Sequence, residues 1–293
     1  MSELAAEGQM TSAVVSAPSG LNALSVDLED WFHVCGAPAM SDPAGWDRFE
    51  SRIGKNTERA LALLREWSAR ATFFVLGYVA EREPALVRAV LAEGHEVATH
   101  GHFHRRVYDM SPAEFAEDLG RSLEALRAAG APPVLGYRAP EWSLRRGTLW
   151  ALAALRRHGL RYDSSMVPWS RMGDADFPQV PCRLETEAGE LLEFPLTTAE
   201  RLGQRLPFTG GLALRLAPLS LVVAELRRLN ACGTPALVYL HPWELDPEQP
   251  RIRLPWSRTI MHYWNLGASR RKLSELLRCF RFAPLAEVLG LWP

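Results

Sequence analysis

The sequence predicts an α/β fold built on a parallel sheet. Short apolar runs alternate with helical segments through the first two-thirds of the chain, and the helices carry start and stop signals. Every residue set that suggests chemistry also falls at the carboxyl end of an expected strand, where open α/β sheets and barrels alike gather their active groups. The 293 residues could make one large domain or two small ones. A hydrophobic content of 47% and a charged content of 23% are ordinary for a globular protein. The formal net charge of −1 gives no electrostatic case for nucleic acid or an anionic membrane surface. No apolar run approaches the ~18 residues a membrane span needs, so no transmembrane segment is expected.

Taken in order, residues 1–20 lack both a basic n-region and a continuous apolar core. They read as a flexible tail rather than a secretory signal, and a cytoplasmic location, or one at the inner face of the membrane, is the expectation. Cys35, Cys182, Cys232 and Cys279 are far apart and form no CxxC pair, which argues for buried free thiols rather than disulfides. A strand over 23–26 ends in the acid cluster Asp27, Glu29 and Asp30. A helix over 57–68, capped by Asn56, leads to a strand over 71–76, and a helix over 84–93 stops at Gly94. The strand over 96–99 runs into His100-Gly101-His102-Phe103-His104.

Ser111-Pro112-Ala113-Glu114 then supplies a capping serine, a proline at the first helical position and a glutamate to complete the box. That helix should run to 129 and stop at Gly130. A strand over 134–137 delivers Arg138, and a helix over 147–158 and a strand over 191–194 follow. A helix over 218–230 precedes the strand over 236–240, which delivers His241. The basic, aromatic tail 251–281 is read as closing the domain with a terminal helix over 269–282 rather than as binding an anionic polymer.

His100 and His104 sit in a loop, and two imidazoles with one carboxylate can make an open three-ligand metal site. Neither His95 nor His102 is assigned to it. Side chains alternate along a strand, so Asp27 and Glu29 face the same way. One could bind the ion while the other accepts a proton from its water, and Asp30 could reach the ion instead. Arg138 could hold a catalytic carboxylate ionised through paired hydrogen bonds. His241 suits proton donation to a leaving group, and Asp163 could pair with it and raise its pKa, although Asp163 alone also reads as a turn residue. Hydrolysis by metal-activated water is the leading expectation.

The ordered set Asp27-x-Glu29-Asp30, His100-x-x-x-His104, Arg138-x-Pro140, Asp163-Ser164-Ser165 and Leu240-His241-Pro242 resembles the polysaccharide deacetylase (NodB-homology, carbohydrate esterase 4) family over residues 21–245. The resemblance implies a distorted (β/α)7 barrel over 21–250, with an extension over 251–293 whose terminal helix packs on it. It implies a divalent metal, most often Zn2+, with Co2+, Ni2+ and Mn2+ as alternatives. It also implies release of acetate from an N-acetylated glycan. Asp27 would be the general base, positioned by Arg138, and His241 the general acid, tuned by Asp163. His100 and His104 would hold the metal with Glu29 or Asp30, because Leu28 separates acids that are commonly adjacent in this family. Pro140, Trp142 and Trp243 stand beside these motifs and are expected to contact the sugar. Asp27–Phe32 and the tail Arg251–Phe282, together with Pro207–Gly211 and His262-Tyr263, are similar to the branch associated with exosortase/PEP-CTERM exopolysaccharide loci. A non-sugar amidohydrolase and a catalytically silent carbohydrate-binding protein are the rival readings. Oligomeric state is not legible.

Overall fold

The computed structural model describes residues 13–15, 20–35, 40, 42–201 and 203–292. Its strands are β1 (Ala13–Val14), β2 (Leu21–Leu28), β3 (Thr72–Val75), β4 (Glu96–Thr99), β5 (Gly136–Tyr137), β6 (Tyr162–Asp163), β7 (Cys182–Thr186), β8 (Gly189–Glu193), β9 (Thr198–Arg201), β10 (Gln204–Pro207), β11 (Leu237–Leu240) and β12 (Arg281–Ala283). The helices are α1 (Ile53–Glu66), α2 (Gly77–Arg82), α3 (Pro84–Ala92), α4 (Pro112–Ala128), α5 (Trp150–Arg157), α6 (Gly211–Leu216), α7 (Leu219–Ala231), α8 (Trp256–Tyr263), α9 (Ala268–Cys279) and α10 (Leu285–Val288). None is long and apolar enough to cross a membrane.

Seven strands run parallel in the order β8-β6-β5-β4-β3-β2-β11, and β7 and β1 add antiparallel strands beyond β8. The ladder does not close between β8 and β11. Instead the segment between β8 and α6 crosses that gap: Leu237 N–H donates to Thr197 Oγ1 at 2.7 Å, and Gly210 forms a single bridge with Tyr239. The result is the distorted, incompletely closed barrel the family resemblance implies.

Alternation along the strands sets which groups enter the barrel. Leu24, Val26 and Leu28 of β2 pack outward with Phe73, Val75, Val238 and Leu240 against the helical layer. The opposite face carries Ala23, Phe74, Leu237 and Tyr239 into the barrel interior. Asp27 shares the parity of Ala23, so it is delivered inward, and all eight residues of β2 are buried. With both faces covered, the central strands read as apolar runs rather than as strict alternation.

α4 begins as its sequence signals, with Ser111 Oγ accepting from Glu114 N and the Glu114 carboxylate from Ser111 N. Elsewhere long-range pairing overrides local signals. Asn56 lies inside α1, whose entrance is capped by Asp30: Arg52 N and Ile53 N donate to its carboxylate at 3.0 and 3.2 Å. α9 ends at Cys279 and β12 then pairs with β2, so the expected helix over 269–282 is too long, and α10 rather than that helix comes last. Within the expected tail, Ala13–Val14 pairs with β7. The remaining tail positions, 1–12 and 16–19, lie outside the described residues. Tyr162 and Asp163, the latter also readable by sequence as a turn residue, form a buried strand between β5 and β8.

β5 and β6 approach so closely that a Cβ at Gly136 would lie 1.9 Å from Cζ of Tyr162. The Tyr162 ring cannot yield freely, because its hydroxyl donates to Glu96 Oε1 at 2.9 Å. Gly136→Ala is therefore expected to destabilise the fold by roughly 1–3 kcal/mol in urea unfolding. An unchanged midpoint would contradict this packing.

Candidate metal and catalytic site

Glu29, just past the end of β2, meets His100 and His104 from the loop after β4. One ligand atom from each lies within 4.8 Å of the others, and all three residues are buried. Glu29 Oε2 is 2.6 Å from His104 Nε2 and 3.8 Å from His100 Nε2. Each imidazole is held by its other nitrogen. His100 Nδ1 lies 2.8 Å from the Arg138 carbonyl oxygen, and His104 Nδ1 lies 3.3 Å from Cys35 Sγ. Such contacts orient an imidazole and leave its Nε2 for an ion. Glu29 Oε2 is buried and faces only these two imidazoles, so this donor set fits a divalent cation. Burial drives His100 down to about 4, which keeps it neutral and able to ligate. Burial also opposes ionisation of Glu29, but His104, His241 and His100 outweigh it and hold the carboxylate well below its usual range. His104 has φ +51°, a strained backbone state for a non-glycine residue that turns its ring back toward β2.

Asp27 points into the barrel beside this group. Arg138 is wholly buried and donates from Nη1 to Asp27 Oδ1 and to Ser25 Oγ, both at 2.7 Å. Its Nε reaches Ser164 O at 3.1 Å and Nη2 reaches Ser164 Oγ at 2.9 Å. The guanidinium also lies 4.0 Å from the Phe74 ring and 4.5 Å from the Trp142 ring. Trp142 reaches that position through consecutive left-handed residues, Glu141 (φ +51°) and Trp142 (φ +54°). Asp27 is thus held by one oxygen, and its other oxygen, Oδ2, is 3.9 Å from His241 Nε2.

His241, at the end of β11, presents Nε2 to Asp27 Oδ2 and, at 3.7 Å, to Glu29 Oε1. Its Nδ1 lies 2.8 Å from Glu244 Oε1. Burial disfavours the charged ring, but the Glu244 hydrogen bond and the fields of Glu29, Glu244 and Asp27 prevail, so the His241 pKa lies above its ordinary value.

Several expected residues stand elsewhere. Asp30 turns away from the imidazoles and accepts from Ser51 Oγ, Arg52 N and Ile53 N, so it caps α1 and Glu29 supplies the carboxylate. Asp163 does not meet His241. It accepts from Ser165 Oγ at 2.6 Å, and burial pushes it up to about 6 against the opposing hydrogen bond with Glu193. Pro140, Trp142 and Trp243 are buried rather than open as sugar platforms. Trp142 packs over Arg138, while Trp243 lies between the His241 and His262 rings and donates from Nε1 to Glu29 Oε1 at 3.1 Å. Sequence alone does not single out Glu244 or Arg215, and it reads Cys35 only as a buried free thiol, whereas Cys35 is half-buried against His104. The i+3 spacing of His241 and Glu244 was the one available signal.

Residues 45–162 match the family described as polysaccharide deacetylase, and residues 164–290 match a domain of unknown function, DUF3473. A peptidoglycan deacetylase of Helicobacter pylori is 27% identical over 150 residues, which is 50% of each chain. A peptidoglycan-N-acetylglucosamine deacetylase of Bacillus cereus is 40% identical over 63 residues, covering 22% of this chain and 30% of that one. A chitooligosaccharide deacetylase of Bradyrhizobium is 37% identical over 73 residues, 25% of this chain and 33% of that one. The chain thus spans half or less of the length of these curated relatives. Among solved structures, a protein from Mycobacterium smegmatis assigned as a polysaccharide deacetylase superposes with a TM-score of 0.64 at 22% identity, covering 96% of this chain and 94% of that one. With the ordered motifs and these matches in agreement, residues 45–162 belong to the polysaccharide deacetylase family of the NodB-homology, carbohydrate esterase 4 type, and residues 164–290 carry the domain of unknown function.

Proposed function

We propose that this chain is a metal-dependent hydrolase that removes acetyl groups from the amino sugars of a glycan polymer or its precursor. One observation carries the reading: a buried Glu29–His100–His104 donor set lies directly beside an Arg138-held carboxylate and a histidine with a raised pKa. The relatives named as peptidoglycan and chitooligosaccharide deacetylases support an N-acetylated glycan as the substrate class. The similarity of residues 207–211 and 262–263 to the exopolysaccharide-locus branch favours an exopolysaccharide chain. We assign residues 21–250 to the catalytic barrel and 251–293 to an extension packed on it.

Glu29, His100 and His104 would hold the ion. Bound there, a divalent cation supplies Lewis-acid polarisation of the acetamide carbonyl and acidifies a water molecule. Asp27 is the proton acceptor: Arg138 fixes Oδ1 and leaves Oδ2 on the side of His241, so the carboxylate is held in one orientation. His241 is the proton donor, its Nε2–H directed at the nitrogen that departs as the amine. A catalytically silent binding protein would have no need of this complete donor and acceptor set.

Acetate release from N-acetylglucosamine oligomers should be abolished by a chelator and restored by Zn2+. Turnover of small non-sugar amides should be far slower, and the reverse order would favour the amidohydrolase reading. Asp27→Asn and His241→Ala should each lower kcat by about 10²–10⁴ with the fold intact. Near-normal rates in both would overturn the assignment. Activity should fall at high pH as His241 loses its proton. Because its pKa is raised, that limb should lie above pH 6.5, the ordinary histidine value. A limb at or below that value would contradict the field assigned to Glu244, Glu29 and Asp27.

A further inference from the structure

We propose that the C-terminal half of the chain positions the catalytic acid, with Glu244 fixing the His241 ring and Arg215 fixing Glu244. The inference rests on the reading of His241 as proton donor. It assigns work to residues within the region matched only as a domain of unknown function. Glu244 Oε1 faces both the backbone N–H of His241, at 3.1 Å, and its ring Nδ1, at 2.8 Å. A carboxylate there accepts the Nδ1 proton, so the ring carries its exchangeable position at Nε2, on the side of Asp27 and Glu29.

Glu244 is itself buried, and its second oxygen, Oε2, is paired with Arg215 Nε at 2.9 Å. Arg215 is 2% exposed and extends from α6 to the backbone at the end of α8. Its Nη2 donates to Met261 O at 2.5 Å, and its Nη1 to His262 O at 3.2 Å and Trp264 O at 2.5 Å. A rigid planar fork can serve a carboxylate and several carbonyls at once, which a lysine ammonium cannot do from one position. The same segment supplies a ring. His262 stacks on Trp243 at 4.2 Å, and Trp243 stacks on His241 at 4.8 Å, both with interplanar angles of 20°. The catalytic imidazole is therefore gripped at its Nδ1 edge by Glu244 and on its face by a stack ending in the C-terminal segment. Asp163, the partner the motif order suggested, is committed to Ser165 and Glu193 and leaves this position to Glu244.

The test compares the zinc-loaded wild type with Glu244→Gln and Arg215→Lys in two measurements. The first is kcat and KM for acetate release from an N-acetylglucosamine pentamer, with bound zinc counted. The second is long-range 15N–1H spectroscopy of the histidine rings, which reports which nitrogen of neutral His241 carries the proton. In the wild type that proton is expected on Nδ1. A glutamine amide can donate to Nδ1, so Glu244→Gln should move the proton to Nε2 and lower kcat at least 10-fold, with KM and zinc content unchanged. Arg215→Lys should fall between the two. Unaltered His241 spectra with kcat within twofold of wild type would overturn the proposal. Loss of zinc or of the folded spectrum in both variants would overturn it in favour of a purely structural role. If the wild type releases no acetate, the functional reading falls, and the ring spectra still decide the role of Glu244.

Discussion

A guanidinium with no exposed surface sits at the centre of this molecule. Arg138 cannot shed its proton, so its burial requires partners at every edge and over both faces. The fold supplies them from neighbouring strands: Ser25 and Asp27 from β2, Ser164 after β6, and the rings of Phe74 and Trp142 against the guanidinium. Breaking such a buried pair by removing one member costs about 3–5 kcal/mol, because the other charge is stranded. The arrangement that holds Asp27 for chemistry is therefore also one that closes the barrel interior, and the left-handed turn at Glu141 and Trp142 follows from the need to cap the guanidinium.

Around that cation the charges alternate. Asp27 answers Arg138, the histidines surround Glu29, Glu244 answers His241, and Arg215 answers Glu244. Asp27, Glu29 and Glu244 each have a cation or a protonatable ring within reach, which is the condition for keeping several ionisable groups in one low-dielectric space.

Much of this was legible in the sequence, and the exceptions have physical causes. Strand and helix alternation, the Ser111 capping box and the placement of motifs at strand ends are local signals, and the structure keeps them. The parity of β2 delivers Asp27 inward, whereas Glu29 lies just past the strand in a turn, where its N–H donates to Asp27 O at 3.0 Å. Asp30 looked equally suited to a metal, and only the approach of residues 51–53, some twenty positions away, shows that it caps α1. Asp163 looked like a partner for His241, but the pairing of β6 with β8 buries it against Glu193. Glu244 was visible three residues after His241, yet its importance depends on Arg215, which no spacing in the chain connects to it. Trp142 and Trp243 illustrate the same limit, since an aromatic beside a motif can support the catalytic side chain rather than meet the sugar.

The account stands on one cation being shared by Glu29, His100 and His104. Anomalous diffraction at the zinc edge from zinc-soaked crystals tests it directly. A single strong peak within about 2.0–2.2 Å of Glu29 Oε2, His100 Nε2 and His104 Nε2 is the predicted result. A peak coordinated by Asp30, or no peak between the two imidazoles at full zinc loading, would contradict it.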